Sequence, residues 1–259
     1  MTFESGWLFD ICRETDELLL DSYAMSTGVP IGDTPSLVFP KRQPDRPDRR
    51  VSEQEARFAF TTVLARRSDP GIGFAVEAPT EFRYRFAHRD TDEAEASDPH
   101  CRRARVDLVL HKLPSADEPA LAIEFKASGH SEHANSTEAL DKDMVKLIAE
   151  RPDGLWYHLC EDANRATLPS IVGVLGNAVR MFSASTELKK WTDHHDLDVQ
   201  PRAKRLSFHL LVLKRRLALH GVLEYVPESD ASGFFEIQTP QTGSGPQLVP
   251  HPGWEQVVL

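Results

Sequence analysis

The sequence predicts an α/β domain in which a mixed β-sheet lies between layers of helix. Arg105 to Lys126 (RVDLVLHKLPSADEPALAIEFK) holds two strand-like apolar runs around a turn, Pro114 to Pro119, whose prolines and acids interrupt regular structure. The first run is apolar on both sides. Val106, Leu108 and Leu110 share one face, while Asp107, Val109 and His111 share the other, as in strands covered by helices above and below. Further helix and strand patterns then alternate, in the manner of an α/β sandwich with a mixed sheet.

A chain of 259 residues buries a sizeable core and reads as one domain with additions. The expected division is an N-terminal extension and linker over 1–50, a core domain over 51–238 and an irregular tail over 239–259. No apolar run is long enough to span a bilayer, and the acidic start MTFESGWLFD is not that of a signal peptide, so a cytoplasmic protein without membrane contact is expected. Three scattered cysteines, Cys12, Cys101 and Cys160, argue against a disulfide framework or a zinc ribbon. A net charge of −10 speaks against a nonspecific nucleic-acid coat protein. Local basic strips at Lys41 to Arg50, Arg102 to Arg105 and Arg202 to Arg216 can still grip phosphates, or are solvated surface charge.

The first 50 residues carry the weakest pattern: a short helix over Asp16 to Ala24, an extended piece over Val29 to Pro40, and the linker KRQPDRPDRR. Ser52-Glu-Gln-Glu55 is a capping box that opens a helix with the apolar stripe Ala56, Ala59, Phe60, Val63 and Leu64. Glu53 falls within that stripe on a helical wheel, and Glu55 on its flank. Phe74 to Phe86 reads as a strand or hairpin broken at Pro79, and Asp90 to His100 as an acidic loop. After the central pair of strands, Ser128 to Ser136 is a polar loop with His130 and His133. Thr137 to Arg151 is a helix burying Leu140, Met144, Leu147 and Ile148, with Lys142 and Lys146 on its solvated side and Asp143 between faces. A buried strand at Leu155 to Cys160, a helix at Leu168 to Phe182, a loop around His194 and His195, strands at Leu206 to Leu213 and Leu217 to Val226 about a basic turn, and a short strand at Phe234 to Ile237 complete the pattern.

An acid within an apolar strand is costly unless it is paired. In the second run Ala122, Glu124 and Lys126 share a face, so with the two strands side by side Asp107 and Glu124 can hold one cation, with Lys126 beside it. The arrangement Asp-x16-Glu-x-Lys resembles the core motif of the PD-(D/E)xK nuclease superfamily, over roughly residues 51 to 182. The proline of the family name is replaced by Val106, but the acid is the metal ligand. The resemblance implies a restriction-endonuclease-like core with extra C-terminal strands. It implies Mg²⁺ or Mn²⁺ held by Asp107 and Glu124, and Lys126 acting on the attacking water or the phosphate. It also implies a third acid from the upstream helix, Glu53 or Glu55, and a basic residue from the downstream helix, Lys146. Glu53 is expected to point towards Asp107 and Glu55 to serve as a cap.

The implied function is metal-dependent hydrolysis of phosphodiester bonds, in DNA rather than RNA. The alternatives are a catalytically silent nucleic-acid or protein-interaction module of the same fold, or a nuclease subunit active only with a partner; nucleic acid is the expected partner, with a partner protein or a homodimer besides.

Overall fold

The computed structural model describes residues 5–29, 37–45, 47, 49–85, 101–114, 119–128, 137–151, 153–163, 188, 191–192, 202–224, 236–238, 247–249 and 255–256. In chain order they form α1 (Ser5–Ser26), α2 (Glu53–Arg67), β1 (Ile72–Arg85), β2 (Cys101–Lys112), β3 (Pro119–Ser128), α3 (Thr137–Glu150), β4 (Asp153–Cys160), β5 (Arg205–Val212), β6 (Leu217–Glu224), β7 (Glu236–Gln238), β8 (Gln247–Val249) and β9 (Glu255–Gln256). One sheet has the order β1-β2-β3-β4-β5-β6-β9, and β7 pairs with β8 in a separate ribbon. Strands β3, β4 and β5 are parallel, and the pairs towards both edges are antiparallel. The chain is thus an α/β protein with a mixed sheet flanked by helices. No helix among the described residues is long and apolar enough to cross a membrane.

Each sheet face has its own core. Helices α1 and α2 lay Ile11, Leu19, Phe60 and Leu64 over Leu108, Ile123, Phe125 and Tyr157. Helix α3 lays Met144, Leu147 and Ile148 over Val109, Ala122, Trp156 and Phe208 on the opposite face. Alternation along β3 therefore sends Phe125 under α2 and turns Glu124 and Lys126 towards the α3 side. Strand β4, fourth in the sheet, is buried at all eight positions. Val106 departs from the expected pattern, packing with Val109 on the α3 side rather than with Leu108.

Helix α2 begins as its capping box dictates: Glu55 accepts the Ser52 backbone N–H at 2.8 Å and buries its carboxylate in doing so. The register of β1 against β2 shifts between Pro79 and Arg83, in an edge strand where a proline costs no ladder bond. Glu150, at the end of α3, accepts the freed Glu81 and Phe82 N–H groups at 2.7 and 3.1 Å and the Tyr84 hydroxyl at 2.7 Å, fastening α3 to the bulge.

Two expectations need correction. The N-terminal helix spans 22 residues, and it covers the sheet as part of the core rather than standing outside it. The tail is not wholly irregular, because β9 pairs with Leu223 and Glu224 of β6 and β8 pairs with β7. An open sheet edge accepts any extended segment, so a two-residue pairing needs no hydrophobic period to announce it. The expected helix at 168–182, the loop histidines His130, His133, His194 and His195, and the acidic loop at 90–100 lie outside the described residues.

Candidate active site

The β2–β3 ladder runs from His111↔Pro119 to Leu108↔Ile123, and beyond that pair the strands carry Asp107 and Glu124. There a side chain takes over the pairing, as Asp107 Oδ2 accepts the Phe125 N–H at 2.9 Å. Lys126 Nζ donates to Glu53 of α2 at 3.2 Å and lies 2.6 Å from Asp143 of α3. Lys146, one turn further along α3, stands 2.7 Å from Glu124, 2.7 Å from Asp143 and 2.9 Å from the Arg105 carbonyl. Glu124 and Lys126 of β3 are thus met by groups from α2 and α3, with Asp107 of β2 at their side. Exposure grades from 2% at Glu124 through 14% at Lys126 and 23% at Asp107 to 41% at Glu53, so the cluster opens to solvent on the α2 side.

The sequence-derived residues divide clearly. Asp107, Glu124, Lys126 and Glu53 share the cleft, whereas Glu55 is spent on the Ser52 cap. Glu53 pairs with Lys126 instead of turning to Asp107. The α2 group facing Asp107 is Arg57, whose Nη1 lies 3.9 Å from Oδ1 and also contacts Glu77. Lys146 is not a solvated lysine, being buried against Glu124. Asp143 was visible in the sequence only as a residue between two helix faces. Its i,i+3 spacing from Lys146 carried the signal, since both project from one side of α3.

Burial pushes Glu124 well up, and the Asp143 and Asp107 carboxylates add to this, against the pull of Lys146. Glu124 Oε1 receives no well-directed hydrogen bond even though Lys146 Nζ is so near, so its partner is charge alone. Burial works against both lysine charges. For Lys126 it is outweighed by Asp143 and then Glu53, and for Lys146 by Glu124 and then Asp143, so both stay charged above their ordinary range. Burial also opposes the Asp143 charge, but Lys146 and Lys126 hold that carboxyl below its ordinary value. With Arg57 and its second partner Glu77 included, the five acids Glu53, Glu77, Asp107, Glu124 and Asp143 set against Arg57, Lys126 and Lys146 leave two negative charges when all are ionised. One divalent ion matches that surplus, and carboxylate oxygens are the donors that Mg²⁺ and Mn²⁺ prefer.

His158, beside Lys126 in the parallel ladder, gave no sign of itself within the apolar run LWYHLC. Burial, then the Lys126 charge, push it down to about 4, so it is neutral and adds no cation to the cleft. The folded value lies below the ordinary 6.5, so as pH falls from that value to about 4 the unfolded chain takes a proton that the folded chain refuses. Stability therefore falls across that window, by at most about 3 kcal/mol from this residue. His158→Gln is expected to flatten the loss, as read by denaturant midpoints at neutral pH and near pH 4. Identical pH slopes in the two proteins would remove His158 from the account.

Fold and site together define an α/β protein with a cleft of paired acids and lysines where its central sheet opens. Comparison with family models, with curated proteins and with solved structures found no match.

Proposed function

We propose that the protein is a divalent-metal-dependent nuclease that hydrolyses phosphodiester bonds, with DNA as the preferred substrate. The observation that supports this most is the meeting of Asp107, Glu124 and Lys126 with an acid from each flanking helix, in a cleft with two negative charges to spare. Asp107 and Glu124 would hold Mg²⁺ or Mn²⁺. A divalent ion bound there supplies Lewis-acid stabilisation of phosphate charge and lowers the pKa of water. Oδ2 of Asp107 is held by the Phe125 N–H, and Oδ1, which faces Arg57 Nη1 at 3.9 Å, would exchange that longer contact for the ion. Lys126 has three N–H groups, of which Glu53 and Asp143 occupy two among the described residues, and the third would serve the attacking water or a phosphate oxygen. Because its charge is locked in place, Lys126 acts as donor and fixed cation, not as a base.

The direct test is incubation of plasmid and single-stranded DNA with Mg²⁺, Mn²⁺ or EDTA. Cutting is expected with either ion and is expected to stop with EDTA. Glu53→Gln should slow cutting, whereas Glu55→Gln should weaken the helix cap by about 1 kcal/mol and spare the chemistry. Equal activity in both variants would mean that α2 supplies no group to the reaction. One observation favours the rival, a noncatalytic interaction module: Lys146 and Arg57 already offer cations to Glu124 and Asp107. DNA binding without cutting under any of these conditions would decide for it.

A further inference from the structure

On the sheet face opposite the acidic cleft, three neighbouring strands present a row of polar rings beneath α1. Tyr157 of β4 is in register with His209 of β5, and His209 with His220 of β6. Tyr157 and His209 stack at 4.9 Å, and Phe9 of α1 meets the His220 ring edge-on at 5.2 Å. Helix α1 places Cys12 and Asp16 over this row, one turn apart on one side of the helix. His209 Nε2 lies 2.9 Å from both Asp16 oxygens, and the Tyr157 hydroxyl donates to Asp16 at 2.6 Å. The His209 and His220 Nδ1 atoms face each other at 3.0 Å. Ligand atoms of Cys12, His209 and His220 all lie within 4.8 Å of one another.

We propose that Cys12, His209 and His220 form a binding site for a divalent ion of the zinc class. The carboxylate of Asp16 favours the His209 tautomer with its proton on Nε2, which makes Nδ1 an acceptor whose lone pair faces His220 and the cluster. A carboxylate holding the far nitrogen of a ligand imidazole is a recurrent partner of metal-bound histidine. Two nitrogens on a tetrahedral zinc ion stand ~3.3 Å apart, close to the separation seen here. Nitrogen and sulfur donors select against Mg²⁺ and Ca²⁺.

Charge and protons balance for a divalent ion. With His209 protonated on Nε2, the 3.0 Å Nδ1–Nδ1 contact requires the proton on His220 Nδ1 when no metal is bound, and His220 Nε2 is a buried nitrogen that finds no hydrogen-bond partner among the described residues. On binding, the Cys12 thiol releases one proton to solvent and the His220 proton moves from Nδ1 to Nε2, exposing both Nδ1 lone pairs. Two positive charges then meet the Cys12 thiolate and the Asp16 carboxylate, leaving the buried site neutral.

Cys12, His209 and Asp16 also have the composition of a thiol triad, but burial and then the Asp16 charge push the Cys12 thiol well up. A buried neutral thiol is a poor nucleophile, and a metal is what would draw its proton off. Half-buried His220 is the side from which an ion enters. This site shares no residue with the cleft, because successive residues of β4 point to opposite faces and place Tyr157 here and His158 there.

The test uses the full chain stripped of metal and titrated with Co²⁺ as a spectroscopic probe and with Zn²⁺. The expected result is one equivalent bound with a thiolate-to-cobalt charge-transfer band. Zn²⁺ at a hundredfold excess over Kd should raise Tm by ~5–10 °C. Cys12→Ser, close to isosteric, should lose the band and at least a hundredfold in Zn²⁺ affinity. His220→Ala should also bind at least a hundredfold more weakly, and Asp16→Asn about 10- to 100-fold more weakly. Asp107→Ala should leave the thiolate-to-cobalt band and its titration midpoint unchanged, because the carboxylate cleft gives no such band. A cobalt complex without a thiolate band, affinity unaltered in both Cys12→Ser and His220→Ala, or binding lost in Asp107→Ala instead, would overturn the proposal.

Discussion

Lys126→Ala is expected to slow cleavage by at least about a hundredfold while leaving divalent-ion binding and most DNA affinity in place, the size of effect seen when a fixed donor to a charged transition state is removed. Lys126 is a donor and a charge, never a metal ligand, so its loss separates chemistry from binding. Asp107→Ala should lose both metal binding and cutting. The fold should survive each change. In Lys126→Ala the Asp143 carboxylate keeps Lys146 as partner, and neither substitution empties an apolar site. Asp107→Ala relieves repulsion among the acids, but it also takes the acceptor from the Phe125 N–H, so no net gain in stability is expected. Calorimetric titration with Mn²⁺ beside a plasmid-nicking assay makes the comparison. A Lys126→Ala protein that cuts as well as its parent would make the Asp-x16-Glu-x-Lys spacing a coincidence.

Lys146→Met is expected to destabilise the fold by about 3–5 kcal/mol at neutral pH, the usual cost of leaving one member of a buried ion pair behind. The reason is Glu124, 2% exposed, which would keep the repulsion of Asp143 and Asp107 and lose the nearest opposing charge. The pH dependence has a definite sign. A carboxyl whose folded-state pKa lies above its unfolded value costs stability above the unfolded pKa, and the cost fades as pH falls and the group is protonated. The penalty of Lys146→Met should therefore shrink on acidification, and Glu124→Gln in the same chain should restore much of what was lost. Denaturant melts of the parent, both single variants and the double variant, at neutral and mildly acidic pH, give the coupling directly. A Lys146→Met protein within about 0.5 kcal/mol of the parent at both pH values would show that the Lys146–Glu124 contact carries no weight.

The two predictions bear on different layers of the same cleft. On the proposed reading Lys126, on the side of the cleft that opens to solvent at α2, serves the chemistry. Lys146, beneath it, is placed to keep Glu124 ionisable in a buried position. A helix that offers two lysines one turn apart looks alike at both in sequence, and packing alone distinguishes the half-buried Lys142 from the buried Lys146.

What the sequence determined by itself is what local chemistry fixes. Ser52 and Glu55 form a cap from groups three residues apart, and the Ala56 to Leu64 stripe needs only the 3.6-residue period. Period-two alternation put Glu124 and Lys126 on one face of β3, and the unbroken apolar run Leu155 to Cys160 marked the buried strand β4. What only the tertiary structure decided involves partners far apart in the chain. That Glu53 reaches Lys126 across 73 residues, that Arg57 rather than Glu53 turns to Asp107, and that His158 lies beside Lys126 all depend on which strands are neighbours. The same holds for Asp16, which meets His209 across 193 residues. A polar residue in an apolar run shows in sequence only that some partner must exist, because an unpaired buried polar group is costly. The order of strands in the sheet and the seating of α1 across it decide which partner that is.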